Sequence, residues 1–311
     1  MLDSGLIPLV LALLLDLVLG DLPNRYHPVA WMGTGIGLAR RLAPRQGRWQ
    51  RCLYGAVVVI GGAGLVGVIG VLVEEVLHLL PRPLYWLAAA YVFKTTLALR
   101  GLVRAAYQVQ EALVSGDLDR ARQLLAWHLV SRDTTRLNAS QIAAATVESV
   151  AENASDGIIA PLVYYALGGL PAALAYRFIN TADAMLGYRD PEREWLGKVP
   201  ARLDDLVNLV PARLTAGFLL LATRLLGRPI RRAWKVWCRD ARQTASPNAG
   251  QPMSVMAGAL GVELAKIGYY CLGAGQALPT AQHISGAVRL VYWAVAVAVG
   301  VLAMVQILVK I

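Results

Sequence analysis

Long apolar stretches, separated by polar and basic segments, dominate the hydrophobic pattern of this chain. Three of these stretches approach the length that crosses a bilayer, namely 6–20, 53–73 and 288–309. Three more are weaker candidates because they are shorter or less uniformly apolar, namely 84–99, 158–178 and 206–226. The pattern predicts an all-α, polytopic integral membrane protein with about five or six membrane helices.

The segment 100–157 is polar enough to lie outside the membrane, and we expect it to be helical. Asp117 can cap one of its helices, and Asn138 or Ser140 can cap the last one. The first apolar stretch has no basic region before it and no small-residue cleavage site, so we expect it to be retained as a span. The predicted organisation is a single membrane-embedded domain over 1–311, with 100–157 as a cytoplasmic helical insertion.

Composition and charge support this interpretation. The chain is 57% hydrophobic and 16% charged, which is too apolar for an ordinary soluble domain, and its net charge is +10. Thirteen of the 30 Lys and Arg residues form two clusters, which predict cytoplasmic loops in contact with anionic headgroups. A role in attracting a polyanionic substrate is compatible with this, whereas no recognition helix or aromatic-rich sheet points to nucleic acid. The clusters are Arg25, Arg40, Arg41, Arg45, Arg48 and Arg51, and Arg224, Arg228, Arg231, Arg232, Lys235, Arg239 and Arg242.

Three acids recur at four-residue spacing in ATVESVAENASDG: Glu148, Glu152 and Asp156, with Asn153 beside them. On an α-helix this spacing places the acids on one face, where like charges repel. A solvated acidic face is the ordinary explanation. The absence of interleaved Lys or Arg, and the apolar stretch that follows, favour a site where Mg²⁺ bridges carboxylates and keeps waters for substrate phosphates.

A second polar group lies in RFINTADAMLGYRD, where Asn180 and Asp183 share a helix face with Arg177. Ionisable groups at membrane depth usually indicate function, although an ion pair between Arg177 and Asp183 within the bundle is the alternative. If 158–178 crossed the membrane fully, this group would lie on the other side from the acids. A re-entrant or broken helix around GGLPAA would keep the two groups near one site.

Two further motifs carry polar side chains. ARLDDLVNLVPARL contains Arg202, Asp204 and Asp205, of which one aspartate could cap the following span. RDARQTASPNAGQP contains Ser246 and Asn248 in a turn-rich loop whose backbone N–H groups could hold a phosphate. An ordinary loop is an equally good explanation of the second motif.

The segment DLVLGDLPNRYHPVAWMG places Asp21, Arg25 and His27 at a predicted membrane exit. His27 precedes a proline and could be purely structural. Lys94 lies inside an apolar stretch, and extension of its side chain to the interface is the ordinary alternative to a functional role. The sequence contains no HExxH pair, no Walker A loop and no CxxC spacing, so zinc, P-loop and disulfide chemistry are not indicated.

These stretches occur together, and in this order, in the CobD/CbiB family of cobalamin biosynthesis, which the chain resembles. The matching motifs are LGDLPNRYHPVAWMG, SRDTTRL, ATVESVAENASDGIIAPLVYYALGGLPAALAYRFINTADAMLGY, ARLDDLVNLVPARL and RDARQTASPNAGQPMSVMAGALGV. Together they span most of the chain, and the central block is the most specific of them.

The resemblance implies a ligase of the prokaryotic inner membrane with its active site facing the cytoplasm. Its expected reaction joins a carboxylate of adenosylcobyric acid, a corrinoid, to aminopropanol or its O-phosphate in an amide. ATP is the expected co-substrate and Mg²⁺ the expected cofactor. The bilayer and other membrane enzymes of corrinoid assembly are the expected partners, and nucleic acid is not.

The motif residues can be assigned hypothetical roles in this reaction. We expect Glu152, Asp183 and Asp204 to be catalytic, with one of the two aspartates accepting the ammonium proton of the amine. Glu148, Glu152 and Asp156 are the expected metal ligands. Substrate or nucleotide binding is assigned to Asp21, Arg25, His27, Lys94, Asn153, Asn180, Arg202, Asp205, Ser246 and Asn248.

Two other classes of protein remain as alternatives. In a transporter, the acids and Lys94 would line an ion path, but the polar motifs lie in loops and at membrane exits, and the sequence shows no inverted repeats. The other alternative is a noncatalytic scaffold for corrinoid assembly. The presence of Glu148, Glu152, Asp156, Asn180 and Asp183 argues against a chain that has lost its activity.

Overall fold

The structure, a computed structural model, describes residues 5–20, 23–188, 190 and 193–308 and is 76% helical. Its helices and strands follow in chain order. They are α1 (Leu6–Leu19), a 3₁₀ turn (Asn24–Tyr26), α2 (Pro28–Leu42), α3 (Arg48–His78), α4 (Arg82–Lys94), α5 (Leu99–Val114), α6 (Leu118–His128), α7 (Ala139–Ala154), a π turn (Ser155–Ile159), α8 (Ala160–Leu186), α9 (Lys198–Val207), α10 (Leu209–Leu225), α11 (Ile230–Asp240), α12 (Gly250–Leu260), β1 (Leu264–Lys266), β2 (Tyr270–Leu272) and α13 (Ala281–Leu308). The short antiparallel pair β1–β2 is the one departure of the described residues from the all-α prediction.

Contacts along the chain group into two compact units. The first contains Met1–Ala98, Ala160–Asn208 and Leu302–Ile311, and the second contains Leu99–Ile159 and Leu209–Val301. Each unit is therefore discontinuous in sequence. The predicted single membrane-embedded domain, with 100–157 as a cytoplasmic insertion, stays a prediction.

Three described helical segments are long and apolar enough to cross a membrane. They are Arg48–His78, the continuous segment Ala139–Leu186, and Ala281–Gln306. The pair α9 and α10, bent by 47°, would add a fourth span if it crosses as one unit. These segments agree with the predicted all-α membrane protein, while the predicted five or six spans stay a prediction.

In the first unit, α3 packs against α8 through faces that carry glycine. A Cβ atom on Gly62 would lie 2.1 Å from Cζ of Phe178, and one on Gly70 would lie 2.7 Å from Cα of Pro171. Small residues of this kind let helix backbones approach closely where no hydrophobic effect drives association. Large apolar side chains on the other faces of α3 are exposed, as expected for contact with lipid.

Helix α8 is broken near its middle. Gly168 and Gly169 have non-helical backbone angles, and Gly169 has φ 63° and ψ −154°, a conformation open essentially to glycine alone. Pro171 follows the break, and the Glu74 carboxylate lies against it, 2.8 Å from where a Cβ of Gly169 would be. The broken helix predicted around GGLPAA is confirmed, whereas its re-entrant course stays a prediction.

In the second unit, α5, α6 and α7 enclose a small apolar core. Asp117 caps α6 by accepting a hydrogen bond from the Arg120 N–H, and Asn138 caps α7 in a reciprocal arrangement with Gln141. Both predicted caps are thus confirmed, with Asn138 rather than Ser140 as the second. The buried members of the core are Val109, Ala112, Ala121, Leu125, Ile142 and Ala145.

The close approach of α3 to α8 predicts a position-dependent effect of adding one methyl group. Gly70→Ala should lower the free energy of unfolding by about 1–3 kcal/mol, because the new Cβ would meet backbone atoms of Pro171. Gly64→Ala is the matched control, since nothing lies within 4 Å of its Cβ position. Thermal unfolding in detergent measures both variants, and equal midpoints would contradict the packing argument.

Candidate functional site

A cavity of about 180 Å³ in the second unit gathers charged side chains from three separate parts of the chain. Helix α7 contributes Glu148 and Glu152, the segment after α6 contributes Arg132, and the β1–β2 hairpin contributes Lys266 and Tyr270. The capping of α7 by Asn138 fixes where that helix begins and so helps to set which of its residues face the cavity. We call this the Glu148 cavity.

Glu148 is the most buried acid of this cavity, with 5% of its surface exposed. Its Oε2 atom lies 3.5 Å from Nη2 of Arg132, and the charge of Lys266 also acts on it. Its Oε1 atom is buried and has no hydrogen-bond partner among the described residues. A buried carboxylate is costly unless cations offset its charge, and Arg132 and Lys266 offset part of it here.

Tyr270 completes the surroundings of Glu148. Burial raises the pKa of the Tyr270 phenol above its ordinary value, and the negative charges of Glu148 and Glu152 raise it further. The phenol therefore stays protonated at neutral pH and can donate a hydrogen bond to the Glu148 carboxylate beside it. The cavity is lined by two cations, two carboxylates and one neutral phenol, together with two serines.

The acids do not keep the regular ladder that their spacing predicts. Asp156 belongs to the π turn, where the helical period differs from 3.6 residues, and it is not among the residues that line the Glu148 cavity. The described residues contain no group of three or more His, Cys, Asp or Glu side chains placed to hold a metal ion. The described residues therefore contain no preformed site of three carboxylates. The charged neighbours of Glu148 in the cavity are Arg132, Lys266 and Glu152. Asn153 is exposed, and its amide donates to the backbone oxygen of Ser149.

A second polar group lies in the first unit, where α8 meets α9. The Asn180 amide donates to Oδ1 of Asp204 over 3.3 Å, and Arg177 donates to the Asn180 carbonyl oxygen. Asn208 also interacts with the buried Asp204 carboxylate and accepts a hydrogen bond from Tyr176. The two motifs that contain Asn180 and Asp204 are thus brought together.

The structure around Asp204 corrects the prediction that an aspartate of this motif is a helix cap. Asp204 and Asp205 lie inside α9, and Asn208 separates them from the start of α10 at Leu209, so neither aspartate is at the N-cap position of the following span. Asp205 is half-buried and Arg202 is exposed. Asp183 is half-buried one turn beyond Asn180, and a Cβ on Gly187 would lie 1.9 Å from its Oδ1 atom. Glycine at position 187 therefore leaves room for this carboxylate.

Lys94 is buried at the end of α4, with 2% of its surface exposed. Its ammonium donates a hydrogen bond to the backbone oxygen of Gly20, just after α1. Asp16 is also completely buried in α1, which packs against α4. The expected alternative, a Lys94 side chain extended to the interface, is therefore wrong.

The residues predicted at the membrane exit have mainly local contacts. His27 is the N-cap of α2, and its Nδ1 accepts a hydrogen bond from the Val29 N–H, so its structural role is confirmed. Arg25 is exposed, and its guanidinium lies 4.3 Å from the centre of the Tyr26 ring. Asp21 lies outside the described residues.

The turn-rich loop before α12 uses part of its own hydrogen-bonding capacity. The Asn248 N–H donates to Oγ of Ser246, and the Gly250 N–H donates to Oγ1 of Thr244. The Asn248 side chain accepts from Arg213 over 3.3 Å. The motif suggested that backbone N–H groups of this loop hold a phosphate, but these two already donate to side chains of the loop. Phosphate binding by the loop stays a prediction.

Comparison with known proteins decides the family. The family model described as CobD/Cbib protein matches residues 9–301. This chain belongs to the CobD/Cbib family. The match spans both the Glu148 cavity and the group around Asp204, so each is part of the family's common region.

Curated relatives of the family cover the chain almost as fully. The cobalamin biosynthesis protein CobD of Dehalococcoides mccartyi is 42% identical over 264 residues, which are 85% of each chain. The probable cobalamin biosynthesis protein CobD of Methanocaldococcus jannaschii is 35% identical over 86% of this chain and 88% of its own. The Klebsiella pneumoniae CobD protein is 41% identical over 81% and 80%, respectively. No solved structure matches the chain.

Several residues of the Glu148 cavity in this CobD/Cbib chain escape inspection of the sequence. Arg132 lies in the family motif SRDTTRL, which is a usable signal for it. Lys266 and Tyr270 lie more than a hundred residues from Glu148, in a segment without a recognisable motif, and only the fold places them beside it. Long-range pairing of this kind leaves no local pattern.

A third polar group, which lies in the second unit, is centred on Asp240 at the end of α11. The buried carboxylate accepts two hydrogen bonds from Arg239, at 2.7 and 2.8 Å, and one from the Gln243 amide. It also accepts one from the Gly273 N–H at 2.7 Å. Burial alone would raise the pKa of Asp240, but these hydrogen bonds outweigh it and hold the pKa below its ordinary value.

The lowered pKa of Asp240 predicts the pH dependence of its contribution to stability. A depressed folded-state pKa stabilises the protein above the unfolded-state pKa, and this stabilisation is lost as pH falls through the folded-state pKa. Asp240→Asn should therefore lower the free energy of unfolding by about 2 kcal/mol at neutral pH. The difference from the unsubstituted protein should shrink below about pH 4.

Chemical unfolding in detergent between pH 3 and 7 measures this difference. Asp119→Asn is the control, because Asp119 is exposed and pairs with Arg122 at the surface. A stability difference for Asp240→Asn that is constant throughout the acid range would contradict the assigned role of its charge.

Proposed function

We propose that this protein acts in cobalamin biosynthesis as a membrane-bound ligase. It joins a carboxylate of adenosylcobyric acid to aminopropanol, or to its O-phosphate, using ATP and Mg²⁺, to give adenosylcobinamide or its phosphate. Membership of the CobD/Cbib family, whose curated relatives are named for cobalamin biosynthesis, supports the pathway. The observation that carries the chemistry is the Glu148 cavity, where carboxylates and cations converge.

Amide formation from a free carboxylate requires activation. Transfer of the terminal phosphoryl group of ATP to a carboxylate oxygen gives an acyl phosphate and ADP. The neutral amine then attacks the acyl carbon, the C–N bond forms, the C–O bond to phosphate breaks, and the nitrogen loses a proton. The protein must therefore position phosphates, exclude water from the acyl phosphate, and accept a proton from the amine.

Positively charged side chains of the Glu148 cavity suit the first of these tasks. Arg132 and Lys266 can neutralise phosphate oxygens, and a guanidinium presents its N–H groups in a geometry that matches them. The cavity, at about 180 Å³, is too small to enclose a corrinoid and has room for a phosphate-sized group. We assign it to phosphate rather than to the ring system.

These residues could hold Mg²⁺ with fewer carboxylate ligands than the three that the sequence suggested. Magnesium sites at substrate phosphates generally use one or two carboxylates and keep several waters. Glu152 is the better candidate ligand, because it is half-buried, whereas Glu148 is buried and pairs with Arg132. When bound, the ion would neutralise phosphate oxygens and hold them in line for transfer.

The group around Asp204 is assigned to the amine. Asp204 interacts with Asn180 and Asn208 and can accept the proton that the ammonium must lose before the neutral amine attacks. Asp183, which lies in the same motif as Asn180, is the other candidate for this role. Lys94, Arg25, Arg202, Ser246 and Asn248 remain proposed substrate or nucleotide contacts. The basic clusters support a multi-pass protein of the inner membrane, with five or six spans and a cytoplasmic active site.

One observation favours a transporter as the second candidate. The break in α8 at Gly168 and Gly169, beside Glu74, resembles the discontinuous helices that line binding sites in secondary transporters. A noncatalytic scaffold of corrinoid assembly has no observation of its own in its favour. Neither a transporter nor a scaffold requires ATP hydrolysis that depends on both cobyric acid and an amino alcohol.

The test is incubation of the purified protein with cobyric acid, aminopropanol O-phosphate, ATP and Mg²⁺. We expect ADP release that depends on both other substrates, together with an amide product identified by mass spectrometry. ATP hydrolysis without the amide, or no reaction with any amino alcohol offered, would rule out the ligase.

Removal of the proposed metal ligand should abolish the reaction. Glu152→Ala should eliminate amide formation and Mg²⁺-dependent nucleotide binding, because Glu152 is the half-buried carboxylate of the cavity, whereas Glu148 is buried and pairs with Arg132. Glu111→Ala is the matched control, since Glu111 is an exposed glutamate of the same unit. Full activity of Glu152→Ala would remove this residue from the mechanism.

The proposed base can be separated from the activation step. Asp204→Asn should slow amide formation with the amino alcohol by about 10²- to 10⁴-fold, because the ammonium loses its proton acceptor. Hydroxylamine, which is already neutral at neutral pH, should still trap the acyl phosphate as a hydroxamate at nearly the normal rate. Asp119→Asn, at an exposed position outside both polar groups, serves as the control. Equal loss of amide and hydroxamate in Asp204→Asn would contradict the role of a base.

A further inference from the structure

A second cavity of the second unit, of about 460 Å³, has four cations among its eight lining residues. It lies between α11 and the turn that follows β2. Helix α11 contributes Arg231, Arg232, Lys235 and Arg239, and the turn contributes Gln276. None of these residues lines the Glu148 cavity, so the two cavities are distinct. We call this one the α11 cavity.

Two of the four cations are engaged with the protein and two are not. Arg239 pairs with Asp240, and Arg232 donates to the Gly258 carbonyl near the end of α12. Within the described part of the chain, Arg231 and Lys235 have neither an ion pair nor a hydrogen bond. The cavity therefore carries positive charge that its own surroundings do not neutralise.

Arg228, just before α11, lies close to one cation of the cavity, Arg232, and to Arg289. Burial lowers the pKa of the Arg228 guanidinium, and the positive charges of Arg289 and Arg232 lower it further. Cations that destabilise one another in the folded chain are relieved by an anion placed among them.

Gln276 adds a polar group with unused hydrogen-bonding capacity. Both Nε2 and Oε1 of its amide are buried, and neither has a hydrogen-bond partner among the described residues. A buried amide in this condition destabilises the folded protein, so it requires an explanation. A ligand oxygen within the cavity would supply the acceptor that Nε2 lacks.

The position of Gln276 is built into the fold. Gly273 has φ +72°, and a Cβ there would lie 2.6 Å from Nε2 of Gln276, so glycine makes space for the amide. The Gly273 N–H donates to Asp240, which also holds Arg239. Asp240 thus joins the turn that carries Gln276 to the helix that carries the cations.

We propose that the α11 cavity binds a phosphate-bearing anion, whose charge is balanced by Arg231 and Lys235 and whose oxygen accepts from the Gln276 amide. Guanidinium, ammonium and amide N–H groups are the donors that phosphate oxygens use in proteins. The phosphate can belong to a soluble polyphosphate or to an anionic lipid headgroup. Trp234, 53% exposed on the same helix, is typical of residues at a membrane interface. Neither source requires the proposed ligation to be correct.

Binding can be measured without turnover on the full chain in nanodiscs of phosphatidylcholine, with inorganic pyrophosphate as the probe in a calorimeter. We expect saturable binding that weakens at least about tenfold in Arg231→Gln/Lys235→Gln. The matched control is Arg224→Gln/Arg242→Gln, which removes the same charge from exposed positions that do not line the cavity. The control should change the affinity by less than about twofold.

Gln276→Leu tests the amide separately from the charge. Pyrophosphate binding should weaken severalfold, while the unfolding temperature should stay the same or rise, because a buried amide without a partner is removed. A loss of binding that follows only from unfolding would be seen as a lower unfolding temperature, and it would count against the assigned role of this side chain.

A second arm identifies the source of the phosphate. The same variants are examined in nanodiscs that contain phosphatidylglycerol, with retained lipid counted by native mass spectrometry. Lipid retention that is lost in Arg231→Gln/Lys235→Gln, but not in the control pair, supports the proposal with a headgroup as the anion. Pyrophosphate binding that phosphatidylglycerol does not displace supports it with a soluble anion. If neither probe distinguishes the cavity variant from the control variant, the proposal is wrong.

Discussion

Burial of charge is the constraint on which the rest of this structure depends. An ionised side chain removed from water is stable only where another group of the protein compensates it. Glu148 meets this requirement through Arg132, Lys94 through the Gly20 carbonyl, and Asp240 through Arg239. In each case the compensation fixes the side chain in one place, and polar groups fixed in this way inside an apolar protein are suited to chemistry.

This constraint also explains what the sequence could and could not predict. The cap at Asn138 and the break at Gly168–Gly169 were predictable because each depends on neighbouring residues alone. The partners of Glu148 were not predictable, because Lys266 and Tyr270 reach it through the fold. The short sheet that carries them was also missed, since three-residue strands leave no periodic pattern.

The acids of α7 illustrate a more specific limit. Glu148 and Glu152, four residues apart, line one cavity, whereas Asp156 does not line it. The π turn Ser155–Ile159 interrupts the α-helical period at that point. Gly157 lies in the turn and Pro161 follows it, but these residues alone do not distinguish a π turn from a kink. A pattern argument that assumes one helical period cannot detect such a change. The family match, by contrast, spans the whole region without depending on local geometry.

The glycine face of α3 has an evolutionary consequence. Where backbones approach this closely, the property under selection is side-chain volume rather than polarity, and few residues satisfy it. The opposite face, with exposed side chains such as Val57, Ile60 and Leu65, is under no such restriction. Adaptation of this helix to bilayers of different composition or thickness can therefore proceed by substitution on one side while the other side stays unchanged.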